Sequence, residues 1–289
     1  MSKNNFRPAP EITQHVYEVR NKLWRTAQRR LGAEALKGAS AEEANQHITD
    51  TAKTITDTFI RNDQEQHIDF PVLQLAGVVS DTIHALPALE KGSKDAKDQM
   101  IEFNTALKTI IRNQTGISPQ KLTFIVRDVA KSLGHDHREV TALNARTHEI
   151  LRGMKHELAA ESVFMNLPEE YNYREGSAAE DRKGIDYAVT APNGVDVLID
   201  VKASERAAHD AWDKQDDYYA RHNKKVPQNH LIMASGYYED DFLPNSWNAD
   251  YEATKELTPG WKQAIDHAAG YVDINETYTP QSPRDKELV

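Results

Sequence analysis

Apolar residues recur every three to four positions through the first half of the chain and then, beyond about residue 170, alternate one by one. The two spacings predict helices first and a sheet afterwards. Over residues 11–31, Ile12, Val16, Val19, Leu23 and Trp24 form one amphipathic stripe. Ser40-x-x-Glu43 is a capping box, which starts a helix running to about Arg61. Similar periodicity predicts helices over 70–89 and 93–113. Gly116 then breaks the pattern, and Ser118-Pro119 restarts it with a capping hydroxyl followed by a residue suited to the first helical turn. Over 147–167, Ile150, Leu151, Met154, Leu158, Val163 and Leu167 keep helical spacing until Pro168.

The alternating half is sharper. Val195, Val197, Ile199 and Val201 occupy one parity, while Asp196, Leu198, Asp200 and Lys202 occupy the other. The preceding run repeats the rule, with Ile185, Tyr187 and Val189 against Asp186, Ala188 and Thr190. Ala191-Pro192-Asn193-Gly194 between them supplies a fixed φ and residues that tolerate positive φ, so the two runs form a hairpin. Asp186, Asp200 and Lys202 therefore share a face. Residues 171–174 predict a strand before the hairpin, 205–221 a helix after it, and 229–237 a last strand. The order is helix, three strands, helix, strand: an α+β (or α/β) arrangement with a mixed central sheet behind an all-helical domain.

Composition narrows what this architecture can do. The 289 residues contain no cysteine, which excludes disulfides, thiolate nucleophiles and cysteine-based zinc sites. No apolar run reaches membrane length and no signal-peptide pattern is present, so a soluble cytoplasmic protein is expected. The net charge of −10 is unevenly spread. Residues 1–150 hold 20 basic and 19 acidic side chains, a balance of +1, against 15 and 26, or −11, for the rest.

Two same-face aspartates and a lysine suit one chemistry. Carboxylates are hard oxygen ligands for Mg²⁺, which binds through a few acids and keeps room for a substrate phosphate. A lysine two residues beyond a ligand can stabilise developing charge. Asp186, thirteen intervening residues, then Asp200-x-Lys202 resembles the core motif of the PD-(D/E)xK nuclease superfamily. The resemblance implies a restriction-endonuclease-like αβββαβ core over 147–270, with Mg²⁺ as cofactor and Mn²⁺ as a substitute. It implies Asp186, Asp200 and the Val201 carbonyl as metal ligands and Lys202 as the catalytic lysine. A further ligand would come from the preceding helix, where Glu161 is preferred and Glu157, one turn earlier on the same face, is the alternative. Gln215 and Tyr219 reproduce the Gln-x-x-x-Tyr spacing of RecB-type members and would support the catalytic site. Gly153 and His156 are three apart, not four as in that subgroup, which argues against His156 as a ligand.

The expected function is a metal-dependent phosphodiesterase, an endonuclease before an exonuclease, acting on DNA in defence, restriction or repair. The alternatives are a nucleic-acid-binding regulator with an inert nuclease-like fold and a helical protein-interaction module. Within the helical domain, 1–146, residues 123–144 resemble a helix-turn-helix of the lac-repressor type, with Ala130 and Gly134 as the small residues. An ordinary helical hairpin has the same spacing. Arg25, Arg29 and Arg30, with Arg20 and Lys22, form a basic stripe that can hold phosphates or simply face solvent. His135-x-His137 lacks a third ligand and reads as a solvated turn. A homodimer through the helical domain is a further expectation. Residues 271–289 read as a flexible tail.

Overall fold

A computed structural model describes residues 10–61, 70–113, 116–181 and 183–271; the tail expected over 271–289 lies almost wholly outside the described residues. The chain divides into two compact units, Met1–Ile150 and Leu151–Val289.

The first unit holds α1 (Pro10–Leu31), α2 (Ala41–Arg61), α3 (Phe70–Ala76), α4 (Val79–Leu89), α5 (Lys94–Asn113), α6 (Pro119–Ser132) and the start of α7 (His137–Met165). α1 buries Val16, Val19, Leu23 and Ala27, the stripe that its spacing requires, and packs on α2 and α6. The capping box at α2 is formed: Ser40 N–H donates to Glu43 Oε2 at 2.7 Å and Glu43 N–H to Ser40 Oγ at 3.2 Å. Ser118 Oγ accepts from Lys121 N–H at the start of α6.

Two helices depart from their expected bounds. The helix expected over 70–89 is two, α3 and α4, bent by 46° at Gly77-Val78. A Cβ on Gly77 would stand 3.1 Å from Lys53 Cγ, so the missing side chain lets α2 approach at the bend. The helix expected from Thr147 begins at His137 instead. Asp136 Oδ1 accepts from Glu139 N–H at 2.9 Å while Glu139 Oε2 accepts from Asp136 N–H at 3.0 Å, and no proline interrupts the 29 residues that follow. The second helix of the 123–144 segment and the glutamate-bearing helix are thus one element. No single helix among the described residues is long and apolar enough to cross a membrane.

The second unit adds β1 (Asn172–Glu175), α8 (Ala178–Asp181), β2 (Tyr187–Thr190), β3 (Asp196–Lys202), α9 (Glu205–Arg221), β4 (His230–Ala234) and α10 (Tyr251–Ala268). The strands lie in the order β1-β2-β3-β4, antiparallel except for the parallel β3–β4 pair. A parallel pair needs a crossover, and α9 supplies it. The hairpin turn closes with Ala191 N–H on Val195 O and with Gly194 at φ 79°, where only glycine is unstrained. One sheet face, with Tyr187, Val189, Val197, Ile199 and Val201, packs on Ala159, Ala160, Val163 and Phe164 of α7 and on Trp261 and Ile265 of α10. α9 packs on β3 and β4, and Trp212 Nε1 donates to Ile232 O at 3.1 Å. α10 was not foreseen from periodicity, because Pro259-Gly260 reads as a break; Asp250 caps it and Trp261 anchors it at 2% exposure.

Candidate functional site

The site is built at the start of β2. Tyr187 faces Ile199 in the ladder, and Asp186 N–H donates to the same Ile199 O at 2.8 Å, so Asp186 and Tyr187 share one partner as in a β-bulge. Ile185 N–H donates to Glu180 O at 3.0 Å, and Val201 N–H donates at 2.8 Å to the carboxylate Oδ2 of Asp186. The Asp186 side chain is thereby brought to the Val201 end of β3, beside Asp200. In an extended strand the N–H and C=O of one residue point the same way, so the Val201 carbonyl faces the Asp186 side while its side chain is buried in the core.

A small clasp holds the loop that delivers Asp186. Gly176 N–H donates to Asp186 O at 2.8 Å. Ser177 caps α8 and donates to Glu180 Oε2 from both its amide and its hydroxyl, at 2.8 and 2.7 Å. Arg174 on β1 grips the same carboxylate with two bonds of 2.9 Å. Arg174 first, and then Ser177, hold Glu180 well below the usual carboxylate range.

Asp200 is 6% exposed, and Lys202 Nζ donates to its Oδ1. Burial raises the Asp200 pKa; the Lys202 charge and hydrogen bond and the Asp186 side chain oppose that rise, and the Glu157 charge adds to it. Four of the expected residues, Asp186, Asp200, Lys202 and Glu157, therefore share one electrostatic environment.

Glu161 Oε1 accepts from Tyr173 Oη of β1 at 3.5 Å. Glu157, one turn earlier, accepts through its backbone carbonyl from Tyr187 Oη at 3.2 Å, and its charge acts on Asp200. Gln215 meets His230 of β4, Nε2 to Nδ1, at 2.6 Å. Tyr219 stands edge-on to Tyr218 at 5.5 Å between ring centroids. His156 is buried against Ser235 Oγ, Nδ1 to Oγ 2.7 Å, and burial chiefly lowers its pKa. His230 is the residue that the periodicity argument missed. Its signal was available: a lone polar side chain in the run His230-Leu231-Ile232-Met233, on the parity that faces α9.

Among the described residues, no three His, Asp or Glu side chains converge as a formed cation site. Each carboxylate is instead held by a proton donor of the chain: Asp200 by Lys202, Asp186 by Val201 N–H, Glu161 by Tyr173. The donor chemistry still fits a hard divalent cation. Buried Asp200 lies in the field of two further acids, Asp186 and Glu157, and of one lysine, and a buried carboxylate without full compensation is costly.

In the helical unit, α6 and α7 are joined by a turn with Gly134 at φ 87°. His135 bonds Ser80 Oγ of α4 through Nε2 at 3.0 Å and Glu139 Oε2 through Nδ1 at 3.2 Å, which explains a polar residue at that turn. Arg25, Arg29 and Arg30 are exposed on α1, and Arg29 Nε donates to Arg25 O at 3.3 Å. A scan of protein-family models and searches of curated proteins and of solved structures find no match for the chain.

Proposed function

We propose that the chain is a Mg²⁺-dependent endonuclease of the PD-(D/E)xK type, acting on DNA in the cytoplasm. The turning of the Asp186 carboxylate onto Val201 N–H carries the reading, because it sets Asp186 beside Asp200 with Lys202 on the same strand. Asp186, Asp200 and Glu157 would hold the metal, with Mn²⁺ as a substitute; the bound ion would neutralise phosphoryl charge and acidify a water. Lys202 reaches Asp200, and its ammonium stabilises negative charge that develops on the phosphate oxygens. Val201 N–H fixes the Asp186 carboxylate through Oδ2. The restriction-endonuclease-like fold belongs to the same proposal, supported by the helix-strand-strand-strand-helix-strand order and the mixed sheet.

The direct Lys202–Asp200 pair favours a second reading, a nucleic-acid-binding regulator whose core is inert. Purified protein with supercoiled plasmid and Mg²⁺ separates the two. The nuclease nicks the plasmid, EDTA stops it, and Asp200→Asn lowers the rate by about a hundredfold or more, as loss of a central electrostatic group does. DNA binding without nicking, at any Mg²⁺ or Mn²⁺ concentration, selects the inert core.

A further inference from the structure

The second unit is acidic, yet residues 218–238 contain no Asp or Glu, and Arg221, Lys224 and Lys225 fall close together within that stretch. All three are exposed where α9 ends. Arg221 Nη2 lies 3.6 Å from Asp217 Oδ2, but both side chains are 75% exposed, so the pair holds the arginine only weakly. Among the described residues no ion pair is seen on Lys224 or Lys225. The backbone around them is fixed. His222 N–H donates to Tyr218 O at 3.2 Å, Asn223 N–H to Ala220 O at 3.1 Å and Lys224 N–H to Tyr219 O at 2.9 Å. Asn223 takes φ 52°, the left-handed turn that closes a helix and that asparagine tolerates.

Aromatic rings occupy the same place. Tyr218 is 49% exposed, and its ring centroid lies 4.3 Å from that of His222, with the planes inclined by 35°. Tyr219 stands edge-on to Tyr218, and His222 Nδ1 is 2.7 Å from Tyr218 O, so the pair is held in position. A cation near a helix C-terminus complements the helix dipole. That accounts for Arg221 in the last turn, but not for two lysines beyond the helix or for an exposed aromatic stack beside them. Cations interleaved with exposed rings match a single nucleic-acid strand, whose phosphates take the charges and whose unpaired bases stack on the rings. A duplex keeps those base faces covered.

We propose that the turn at the end of α9 is a contact site for single-stranded nucleic acid. Arg221, Lys224 and Lys225 hold adjoining phosphates, and the Tyr218–His222 stack receives an unpaired base. α9 begins just after Lys202 and its 17 residues span about 25 Å, so the contact lies at the far end of the helix from the proposed catalytic acids. The inference goes beyond the nuclease reading and does not depend on cleavage.

Fluorescence anisotropy of a labelled oligodeoxythymidine with the full chain, in EDTA so that no cleavage intervenes, tests this. Tyr218→Ala with His222→Ala should weaken binding about tenfold, the worth of one stacked base. Tyr218→Phe, which keeps the ring, should change it by less than about twofold. Replacing Arg221, Lys224 and Lys225 by glutamine should reduce the slope of log affinity against log salt by about two, since each single-strand phosphate contributes about 0.7. On a blunt duplex of the same length the two alanine changes should cost less than about twofold. No binding by the unaltered chain, no loss in the alanine variant, an equal loss on single strand and duplex, or an unchanged salt slope overturns the proposal. A measurement on the unaltered protein covers the case in which a variant does not fold. Adding an oligodeoxyadenosine should move the ring-proton resonances of Tyr218 and His222 upfield, and unmoved rings overturn the proposal. Failure of these tests leaves the nuclease reading standing, and a chain that does not nick plasmid leaves this inference standing.

Discussion

Glu157 and Glu161 differ by one helical turn, and that turn separates two chemical settings. Four residues advance a helix by about 6 Å; the Glu161 carboxylate accepts from Tyr173 Oη of β1, and the Glu157 backbone carbonyl accepts from Tyr187 Oη of β2. Glu157 raises the Asp200 pKa by its charge, so it lies in the field a cation would occupy. On the nuclease reading, Glu157→Gln should lower Mg²⁺-supported nicking by about a hundredfold, and Glu161→Gln should change it by less than about threefold. Parallel rate measurements at saturating Mg²⁺ decide between them, and the reverse ranking returns the ligand to Glu161. The sequence supplied the parity that puts Asp186, Asp200 and Lys202 together, because a period of two fixes sides without knowledge of the rest. It does not choose between the glutamates, since both lie on one helix face. His230 escaped for a related reason: its meaning depends on Gln215, fifteen residues away on another element.

At the scale of elements, the loop between β1 and β2 does more positioning than its length suggests. It is tied by Arg174, Ser177 and Glu180 at one end and by Gly176 to Asp186 at the other. A Cβ on Gly176 would come 2.3 Å from the carbonyl oxygen of Ile185, a backbone atom that cannot rotate away. Gly176→Ala should therefore push the two arms of the loop apart and displace Asp186, costing about 1–3 kcal/mol of stability as overpacking does. Chemical denaturation together with the nicking rate checks it; an alanine variant with unchanged activity would show that the Asp186 loop tolerates displacement. None of this clasp was legible, because its contacts are set by a one-turn helix and by close backbone approach, not by periodicity. The long amphipathic helices were legible, each stripe being visible without its neighbours. The errors lay where local signals compete: a bend allowed by Gly77, a continuous α7 without an internal break, and α10, whose Pro259-Gly260 pair hides a helix held by buried Trp261 and capped by Asp250.

For the molecule as a whole, charge is partitioned against the chemistry. The residues after 150 carry a balance of −11, while the first 150 carry +1. Five of those acids, Asp240, Asp241, Asp250, Glu252 and Glu256, line a groove of about 540 Å³. DNA approaching the second unit meets repulsion, so a sequence-independent hold on phosphate must come from a local basic surface. Arg25, Arg29 and Arg30 offer one: they are exposed near the end of α1, and no salt bridge is seen on them among the described residues. Two of them, Arg29 and Arg30, also sit in the last helical turn, where a cation complements the helix dipole, so a structural role competes with a binding one. The two roles differ in what salt does. Each phosphate contact contributes close to one unit to the slope of log affinity against log salt. Replacing all three arginines by glutamine should reduce that slope by about three and weaken DNA binding, while nicking at saturating DNA changes little. Fluorescence anisotropy across a salt series, paired with a thermal melt, reads both effects. An unchanged slope with a lowered melting temperature would assign the arginines to the helix end, and the helical unit would then be sought as the surface for a second copy or another protein.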